Sequence, residues 1–361
     1  MIKQKKILVI IQRSNGDVFL SLSLIKAIYN FYNAPQIDLL VNDDTYQVAN
    51  LLPYINLIHT FSYNQKASMQ WTQEKKLFVR LFRKYDLSIN LTSSDRSVIY
   101  AVLAGRKAIS VIEKNHRKSW WKKMLLTDFY YFDNNKHILI QNLTPLSLLN
   151  IKYEYLQSSI VVSNEVLNRV QKKLINKGIK DFIIFHPSAQ YQYKVFPKNL
   201  RDQLLLSLSK LGITIIVTGG KNELDQYIKA EIPSLNNIIN YIGKTTLIEY
   251  FALSKLSMAY IGMDTLNMHI AASQNKRIFA IFGPTKLAVW SPWSNKLKKS
   301  TSLNKPVQTY GNNTIFQSYL PCKTCGLVGC GNIHGKDEFT FLIKPNEIFN
   351  EIKNWYQNVK F

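Results

Sequence analysis

The chain is short of cysteine, of acidic residues and of long apolar runs. Its 361 residues include only three cysteines, and all three lie in one short segment, as Cys322, Cys325 and Cys330. An odd and clustered set argues against a disulfide framework, and reduced thiols suit the cytoplasm. No apolar run approaches the roughly 20 residues that span a bilayer, so we expect no transmembrane helix.

The N-terminal stretch Met1–Ile11 is basic and then apolar, as a signal peptide can be. Its apolar run is short, lacks a small-residue cleavage site and is soon followed by Gly16 and Asp17. We therefore predict a first β-strand here and expect a cytoplasmic protein.

The shortage of acidic residues leaves a formal net charge of +23, from 46 Lys and Arg against 23 Asp and Glu. Two explanations stay open. Abundant Lys, Asn and Ile are typical of proteins from AT-rich genomes, whereas an anionic partner would be a phosphorylated substrate or an acidic membrane surface. Helix-turn-helix, zinc-finger and RNP signatures are absent from the sequence, so nothing supports binding to nucleic acid.

Both halves of the chain alternate short apolar runs with amphipathic segments, the pattern of α/β layers around parallel sheets. The length suits two domains. We expect an N-terminal Rossmann-like domain over residues 1–160 and a C-terminal one over 178–345, joined by residues 164–177. A terminal helix is predicted over 346–361, and its packing back on the first domain is an open option. The predicted strands and longer helices in the first half are Lys6–Gln12, Asp17–Tyr32, Ile37–Val41, Trp71–Lys84, Asp86–Leu91 and Ala108–Ile112.

The most informative stretch is Tyr260–Ala272 with Phe279–Thr285. It predicts a strand ending in Gly262, a helix opened by Asp264 and Thr265, and a second buried strand. Free helix-start amides, a hydroxyl and a carboxylate would then meet where two neighbouring strands end. Such a site binds phosphorylated ligands, and the expected ligand is a nucleotide. Two α/β halves place it in a cleft between domains.

Three further motifs follow strands. In Arg13-Ser-Asn-Gly-Asp17, the aspartate is either a helix N-cap or a general base for a hydroxyl. In the loop His186–Lys194, the lysine is either solvated or a partner for the charge on a diphosphate. In Thr218–Glu223, the paired glycines permit close approach of backbone to ligand. Glu223 there either binds ribose hydroxyls or complements the helix dipole.

The cysteine segment has the spacing C-x2-C-x4-C-x3-H, which ends at His334. Cys322, Cys325, Cys330 and His334 could supply four tetrahedral zinc ligands, or the segment is a turn of reduced thiols. The stretch Asn115–Met124 interleaves cations with two tryptophans. It is either a membrane-surface segment or a partly packed surface helix.

Taken together and in this order, the motifs resemble glycosyltransferase family 9, the ADP-heptose:lipopolysaccharide heptosyltransferases. The resemblance spans nearly the whole chain. It rests on Gly-Asp after the first strand, the Lys194 loop, Gly-Gly-x-x-Glu, Asp-Thr-x-x-x-His, Phe-Gly-Pro-Thr and the cysteine-rich tail. It implies a GT-B fold, with two Rossmann-like domains of parallel sheet facing a central cleft.

The resemblance also implies inverting, metal-independent transfer of heptose from ADP-heptose to the lipopolysaccharide inner core. Asp17 would be the base, and the amides of Thr265 and Leu266 would stabilise the departing charge. The acceptor would be an acidic, lipid-linked oligosaccharide, so peripheral contact with the cytoplasmic face of the inner membrane is expected. No cofactor would be needed for catalysis, and a structural zinc in the cysteine-rich tail stays an open option. The implied acceptor-binding residues are Arg13, Ser14 and Asn15, and the implied donor-binding residues are Lys194, Glu223, Asp264, Thr265, Leu266, His269, Gly283 and Thr285.

The sequence departs from the family pattern on the donor side. Leu266 replaces the glycine usual after Asp-Thr, and Leu287-Ala288 lack the usual proline. Ser23 replaces a proline early in the first helix, and Asp337 stands near the place of a later cysteine. Transfer of heptose to protein, transfer from another nucleotide sugar, and sugar-nucleotide binding without catalysis are therefore alternatives. Retention of Asp17 argues against the last, since a pure binder needs no base.

Overall fold

The computed structural model describes residues 4–65, 67–283, 285–318 and 343–360. The chain divides into two compact units, Met1–Ile160 and Val161–Phe361, and each contains its own sheet. Among the described residues, no helix combines the length and apolarity needed to cross a bilayer.

The first unit is built on six strands in the order β3-β2-β1-β4-β5-β6, with every pair parallel. The central strand is buried on both sides, as expected when helices cover both faces of a parallel sheet. The strands are β1 (Lys6–Ile11), β2 (Gln36–Asn42), β3 (Ile55–Phe61), β4 (Tyr85–Asn90), β5 (Gly105–Ile112) and β6 (Asp128–Tyr131).

Seven helices accompany this sheet: α1 (Asn15–Leu20), α2 (Leu22–Phe31), α3 (Tyr46–Ala49), α4 (Ala67–Leu81), α5 (Asp95–Ala104), α6 (His116–Leu125) and α7 (Ile138–Leu148). The single helix predicted over Asp17–Tyr32 is wrong, because the chain breaks at Ser21 into α1 and α2. The Ser21 hydroxyl donates to the Val18 carbonyl at 2.7 Å, a back-bond that competes with regular helix bonding.

One face of the first sheet carries α4, α5 and α6. Leu77 and Leu81 of α4 join Val98 and Ala101 of α5 in one buried cluster, and Trp121 of α6 packs against it. Helix α7 instead contacts α1 and α2. The three helices α4, α5 and α6 therefore form a single outer layer.

The second unit is built on seven strands in the order β12-β13-β11-β10-β7-β8-β9. All pairs are parallel except the hairpin β12–β13, which the sequence reasoning did not predict. The strands are β7 (Phe182–His186), β8 (Thr214–Val217), β9 (Ile238–Asn240), β10 (Ala259–Met263), β11 (Arg277–Phe282), β12 (Val307–Tyr310) and β13 (Asn313–Gln317).

The helices of the second unit are α8 (Asn164–Ile175), α9 (Lys198–Ser209), α10 (Glu223–Glu231), α11 (Leu247–Leu256), α12 (Leu266–Ser273), α13 (Leu287–Trp290) and α14 (Pro345–Lys360). The stretch expected to join the halves is largely helix α8, which packs on α11, and Lys173 pairs with Glu249 at 2.9 Å. The terminal helix α14 packs on α9 of its own unit, and Trp355 meets Phe279 edge-on at 5.6 Å.

Candidate active site

The first candidate site lies where the strand order of the first unit reverses. From β1 the chain adds β2 and β3 on one side, and then β4, β5 and β6 on the other. The carboxyl ends of β1 and β4 therefore flank a switch point, the usual place for ligands in open α/β sheets. Asp17 lies in the first turn of α1, directly after β1.

The Asp17 carboxylate is buried, and side chains of its own loop contact both of its oxygens. The residue is 4% exposed. Arg13 Nε lies 2.9 Å from Oδ1, and the Ser14 hydroxyl donates to Oδ2 at 2.6 Å. Ser14, not Asp17, occupies the N-cap position of α1, so the N-cap interpretation of Asp17 is wrong. Asn15 is the first residue of α1 and is partly exposed beside this group.

The second unit has its own switch point between β7 and β10. The order β10-β7-β8-β9 places the end of β10 beside His186, the last residue of β7. Gly262 permits this approach, because a Cβ there, at φ +156°, would lie 2.3 Å from the His186 carbonyl oxygen. The loop after β7 and the start of α12 are thereby brought together.

Lys194 and Asp264 meet at this second switch point. Lys194 Nζ donates to Asp264 Oδ2 at 3.2 Å, and the Asp264 side chain is only 2% exposed. The other oxygen of Asp264 is buried with no hydrogen-bond partner among the described residues. The lysine thus neutralises a buried carboxylate while a fifth of its own side chain still reaches solvent.

The start of α12 differs in one respect from the prediction. Thr265 is the N-cap, but its own N–H donates to the Met263 carbonyl at 3.0 Å. The Thr265 amide is therefore engaged within the loop, and its role in stabilising an anion stays a prediction. The first-turn amides of Leu266 and Asn267 have no acceptor within the helix, which leaves them for a ligand.

The remaining predicted donor residues sit at neighbouring strand ends. His269 is 4% exposed on α12, and its ring lies 6.4 Å from that of Trp290. Gly283 is buried directly after β11, and the Thr285 hydroxyl is buried with no hydrogen-bond partner among the described residues. Glu223 opens α10 and is exposed, so its carboxylate can reach a ligand.

Comparison with known sequences decides the family. The profile described as glycosyltransferase family 9 (heptosyltransferase) matches residues 75–320, more than half of the chain. The chain belongs to glycosyltransferase family 9. It is therefore a glycosyltransferase, an enzyme of the transferase class.

This glycosyltransferase is similar to curated heptosyltransferases over most of its length. It is 25% identical to lipopolysaccharide heptosyltransferase 3 of Escherichia coli K12 over 294 residues, 79% of this chain and 84% of that protein. It is 26% identical to lipooligosaccharide heptosyltransferase 2 of a Campylobacter jejuni strain over 239 residues, 62% and 67% of the two chains.

Solved structures show the same fold. E. coli ADP-heptose lps heptosyltransferase II matches with a TM-score of 0.71 at 17% identity, over 99% of this chain and 100% of that one. E. coli heptosyltransferase WaaC with ADP matches with a TM-score of 0.69 at 13% identity, over 97% and 99%. With its two parallel-sheet α/β units, the glycosyltransferase has the GT-B fold, as predicted.

Two residues that the sequence reasoning missed organise the loops that carry the predicted donor-binding residues of this glycosyltransferase. Asp225 is 3% exposed, and Cβ atoms at Gly219 and Gly220 would lie 2.7 and 2.8 Å from its oxygens. The paired glycines therefore make room for this buried carboxylate. The sequence offered one signal for this arrangement, because asparagine is a favoured N-cap residue. In the structure, Asn222 caps α10 and accepts from the Asp225 N–H at 2.8 Å.

The second missed residue, Asn267, fixes the histidine at the end of β7. Its amide nitrogen lies 3.0 Å from His186 Nδ1, which also lies 3.1 Å from the Thr218 hydroxyl. Burial lowers the pKa of His186 to about 4, although the charge of Asp225 opposes the shift. His186 is therefore neutral near pH 7 and links β7, β8 and α12.

Cys322, Cys325, Cys330 and His334 lie outside the described residues, so the zinc site stays a prediction. Within residues 4–318 and 343–360, apart from the undescribed positions, no group of three His, Cys, Asp or Glu side chains is placed to hold a metal ion.

Proposed function

We propose that this enzyme moves heptose from ADP-heptose to a hydroxyl of the lipopolysaccharide inner core, with inversion, and that Asp17 is the general base. The observation that carries the proposal is the Asp17 carboxylate, buried at a switch point and held by Arg13 and Ser14. Relatives named lipopolysaccharide and lipooligosaccharide heptosyltransferases support the donor and the acceptor.

On the acceptor side, Asp17 removes the proton as the acceptor oxygen attacks the anomeric carbon opposite the diphosphate. The new C–O bond forms, the bond from that carbon to the phosphate oxygen breaks, and ADP leaves with the electron pair. Each carboxylate oxygen has two lone pairs, so Asp17 can accept a proton while Arg13 and Ser14 hold its orientation. Arg13, Ser14 and Asn15 border the acceptor in this proposal.

On the donor side, Lys194 turns from Asp264 to the diphosphate, and the amides of Leu266 and Asn267 add the positive end of the α12 dipole. These charges and dipoles stabilise the leaving group as negative charge develops on it. Glu223 accepts from the ribose hydroxyls. Asp264, Thr265, His269, Gly283 and Thr285 form the rest of the donor pocket.

The proposed acceptor is acidic and lipid-linked, and the net charge of +23 favours such a partner. We therefore place the enzyme in the cytoplasm, in peripheral contact with the cytoplasmic face of the inner membrane. The cysteine-rich tail would hold a structural zinc, which has no part in the transfer step.

The experiment that tests this function compares ADP-heptose with UDP- and GDP-sugars on a panel of core oligosaccharides and protein acceptors. We expect ADP release that requires both ADP-heptose and a Kdo- or heptose-terminated acceptor. Turnover only with another donor, or only with a protein acceptor, would overturn the heptose or the lipopolysaccharide part of the proposal.

The role of Asp17 is tested separately with Asp17→Asn, which keeps the size of the side chain. Transfer should fall by roughly 10²–10⁴-fold, the contribution of general-base catalysis, while ADP binding by calorimetry is unchanged. Asp43→Asn, at an exposed position in the same unit, is the matched control and should retain full activity. Normal transfer by Asp17→Asn would exclude Asp17 as the base.

A further inference from the structure

An open apolar groove of about 620 Å³ lies between α4 and α5 on the outer layer of the first unit. Its walls are formed by Trp71, Phe78 and Val79 of α4 and by Ile99, Tyr100 and Leu103 of α5. Trp71 is 68% exposed and Val79 71%. Isolated exposed apolar side chains are ordinary, but a contiguous apolar groove marks a binding surface.

Helix α4 has two apolar stripes, where a surface helix needs only one. Leu77 and Leu81 form the buried stripe in the core of the unit. Phe78 and Val79 face solvent, and Phe78 stacks on the exposed Phe82 with ring centroids 5.0 Å apart. The second stripe therefore does not serve the fold.

The surroundings of the groove are strongly basic. Residues 75–84 contain five cations and no carboxylate. The cations are all exposed, and they are Lys75, Lys76, Arg80, Arg83 and Lys84. The one carboxylate that lines the groove, Glu74, is paired with Arg96 at 3.0 Å. Two cations, Lys75 and Arg96, line the groove itself. Such a slot is complementary to a ligand with an apolar body and an anionic head.

Helix α6 extends the same surface. Lys122, fully buried, joins α6 to α5 through an ion pair with Asp95 at 2.8 Å. On the solvent side of α6, Trp120 is 54% exposed and Met124 75%. The cation-rich stretch that suggested membrane contact thus belongs to the same helical layer as the groove.

We propose that the α4–α5 groove binds an acyl chain of an anionic lipid, and that the layer α4, α5 and α6 docks on a negatively charged bilayer. An acyl chain needs no polar partner in an apolar groove. Tryptophan side chains suit the level of the lipid headgroups, and the cations attract anionic lipids. This inference rests on the proposed membrane contact and names the surface that makes it.

One end of the groove lies at the carboxyl edge of the first sheet. Arg96 is in the first turn of α5, after β4, and Trp71 is in the first turns of α4, after β3. Asp17 follows β1, the neighbour of β4 in the same sheet. The end of the groove at Arg96 and the proposed base therefore share the carboxyl edge of one sheet, where a lipid-linked acceptor would present its sugar.

The first test is flotation of the full-length protein with vesicles of phosphatidylcholine. The vesicles are prepared with or without about 30% phosphatidylglycerol as the anionic lipid. We expect the protein to bind only the anionic vesicles. In the double variant Phe78→Ser/Val79→Ser, partitioning of the protein onto these vesicles should fall by roughly tenfold or more. Leu206→Ser/Tyr227→Ser, which removes exposed apolar side chains of the second unit, is the matched control and should bind normally. Unchanged binding of the α4 double variant would overturn the proposal.

The second test identifies the occupant. Phosphatidylglycerol with a photoreactive acyl chain should crosslink to residues of α4 and α5 in wild-type protein, as mapped by mass spectrometry. Crosslinks confined to other surfaces would contradict the groove. The proposal would also be contradicted if the α4 double variant differed from wild type only in its oligomeric state. That result would assign the groove to contact with a second copy of the chain.

Transfer to a delipidated, water-soluble acceptor separates this inference from the proposed function. The α4 double variant should retain transfer to that acceptor and lose vesicle binding. Asp17→Asn should lose transfer and retain vesicle binding. If the wild-type protein transfers no sugar from any donor, the proposed function is refuted. The vesicle-binding result would still test the membrane surface independently.

Discussion

Lys194 and Asp264 form an ion pair across the switch point of the second unit, although 70 residues separate them in the chain. The lysine is drawn onto a carboxylate that is almost completely buried, so the pair holds the loop after β7 against the start of α12. A diphosphate arriving at the same place would compete for the lysine. In the proposed function, the pair would therefore couple the stability of the unit to donor binding.

The first prediction separates these two roles. Lys194→Gln leaves the Asp264 charge buried and unpaired, which should destabilise the protein by about 1–3 kcal/mol. It should also reduce kcat/KM for ADP-heptose by roughly 10²–10³-fold, as loss of one stabilising group at a leaving group does. Urea unfolding and initial rates measure the two effects.

The control for this prediction is the double variant Lys194→Gln/Asp264→Asn. Removing both charges should restore most of the lost free energy of unfolding, because no unpaired charge remains buried. Turnover should stay low, since the diphosphate still lacks its cation. A double variant as active as wild type would show that Lys194 acts only through Asp264.

A second prediction concerns the hydroxyl that holds Asp17. Ser14→Ala removes the 2.6 Å hydrogen bond to Oδ2 and should reduce transfer roughly tenfold, in line with about 1.5 kcal/mol for a bond to a charged group. ADP binding should be unaffected, because Ser14 lies in the other unit from the donor residues. Calorimetry and transfer rates would be compared with Ser209→Ala, which removes a hydroxyl on α9 that donates to the Leu206 carbonyl at 2.8 Å.

Much of the fold could be predicted because apolar runs and periodicity are local signals. The buried strands β1, β2 and β4 were predicted to within a few residues of their observed bounds. The edge strand β3 was missed, since its partly exposed face gives no clean apolar run. The break at Ser21 was missed as well, because the apolar pattern runs on through it.

The candidate site was only partly predictable. Residue type and position after a strand made Asp17, Lys194 and Asp264 candidates, but sequence spacing could not show that the last two touch. The glycines at 219 and 220 were predicted to admit a ligand, whereas they accommodate the buried Asp225 carboxylate. That contact had a local signal, the Asn222 N-cap, which places Asp225 in the first turn of α10.

A third prediction tests the close approach of β7 and β10. In Gly262→Ala, the new Cβ would lie 2.3 Å from a backbone carbonyl, and no side chain can move to relieve the clash. We expect a loss of roughly 3 kcal/mol or more in the free energy of unfolding. Gly212→Ala is the control, because its φ is +72° but nothing lies within 4 Å of the added Cβ. It should cost only about 1 kcal/mol, and equal losses in the two variants would contradict the steric argument.

The last prediction follows from the neutral histidine at the end of β7. Burial lowers the pKa of His186 to about 4, whereas an unfolded histidine titrates near about 6.5. Between these values the unfolded chain binds a proton that the folded chain does not, so stability is complete above pH 6.5 and falls as the pH drops towards 4. The loss should reach about 3 kcal/mol.

His186→Gln isolates this contribution, because other titrating groups are common to both proteins. Urea unfolding at intervals from neutral to acid pH should give a shallower decline for the variant, and the two curves should converge towards the acid end. Parallel curves would mean that His186 takes up its proton equally in the folded and unfolded states. In that case the bonds from Asn267 and Thr218, and not the exclusion of a proton, would be what holds β7, β8 and α12 together at the carboxyl end of the sheet.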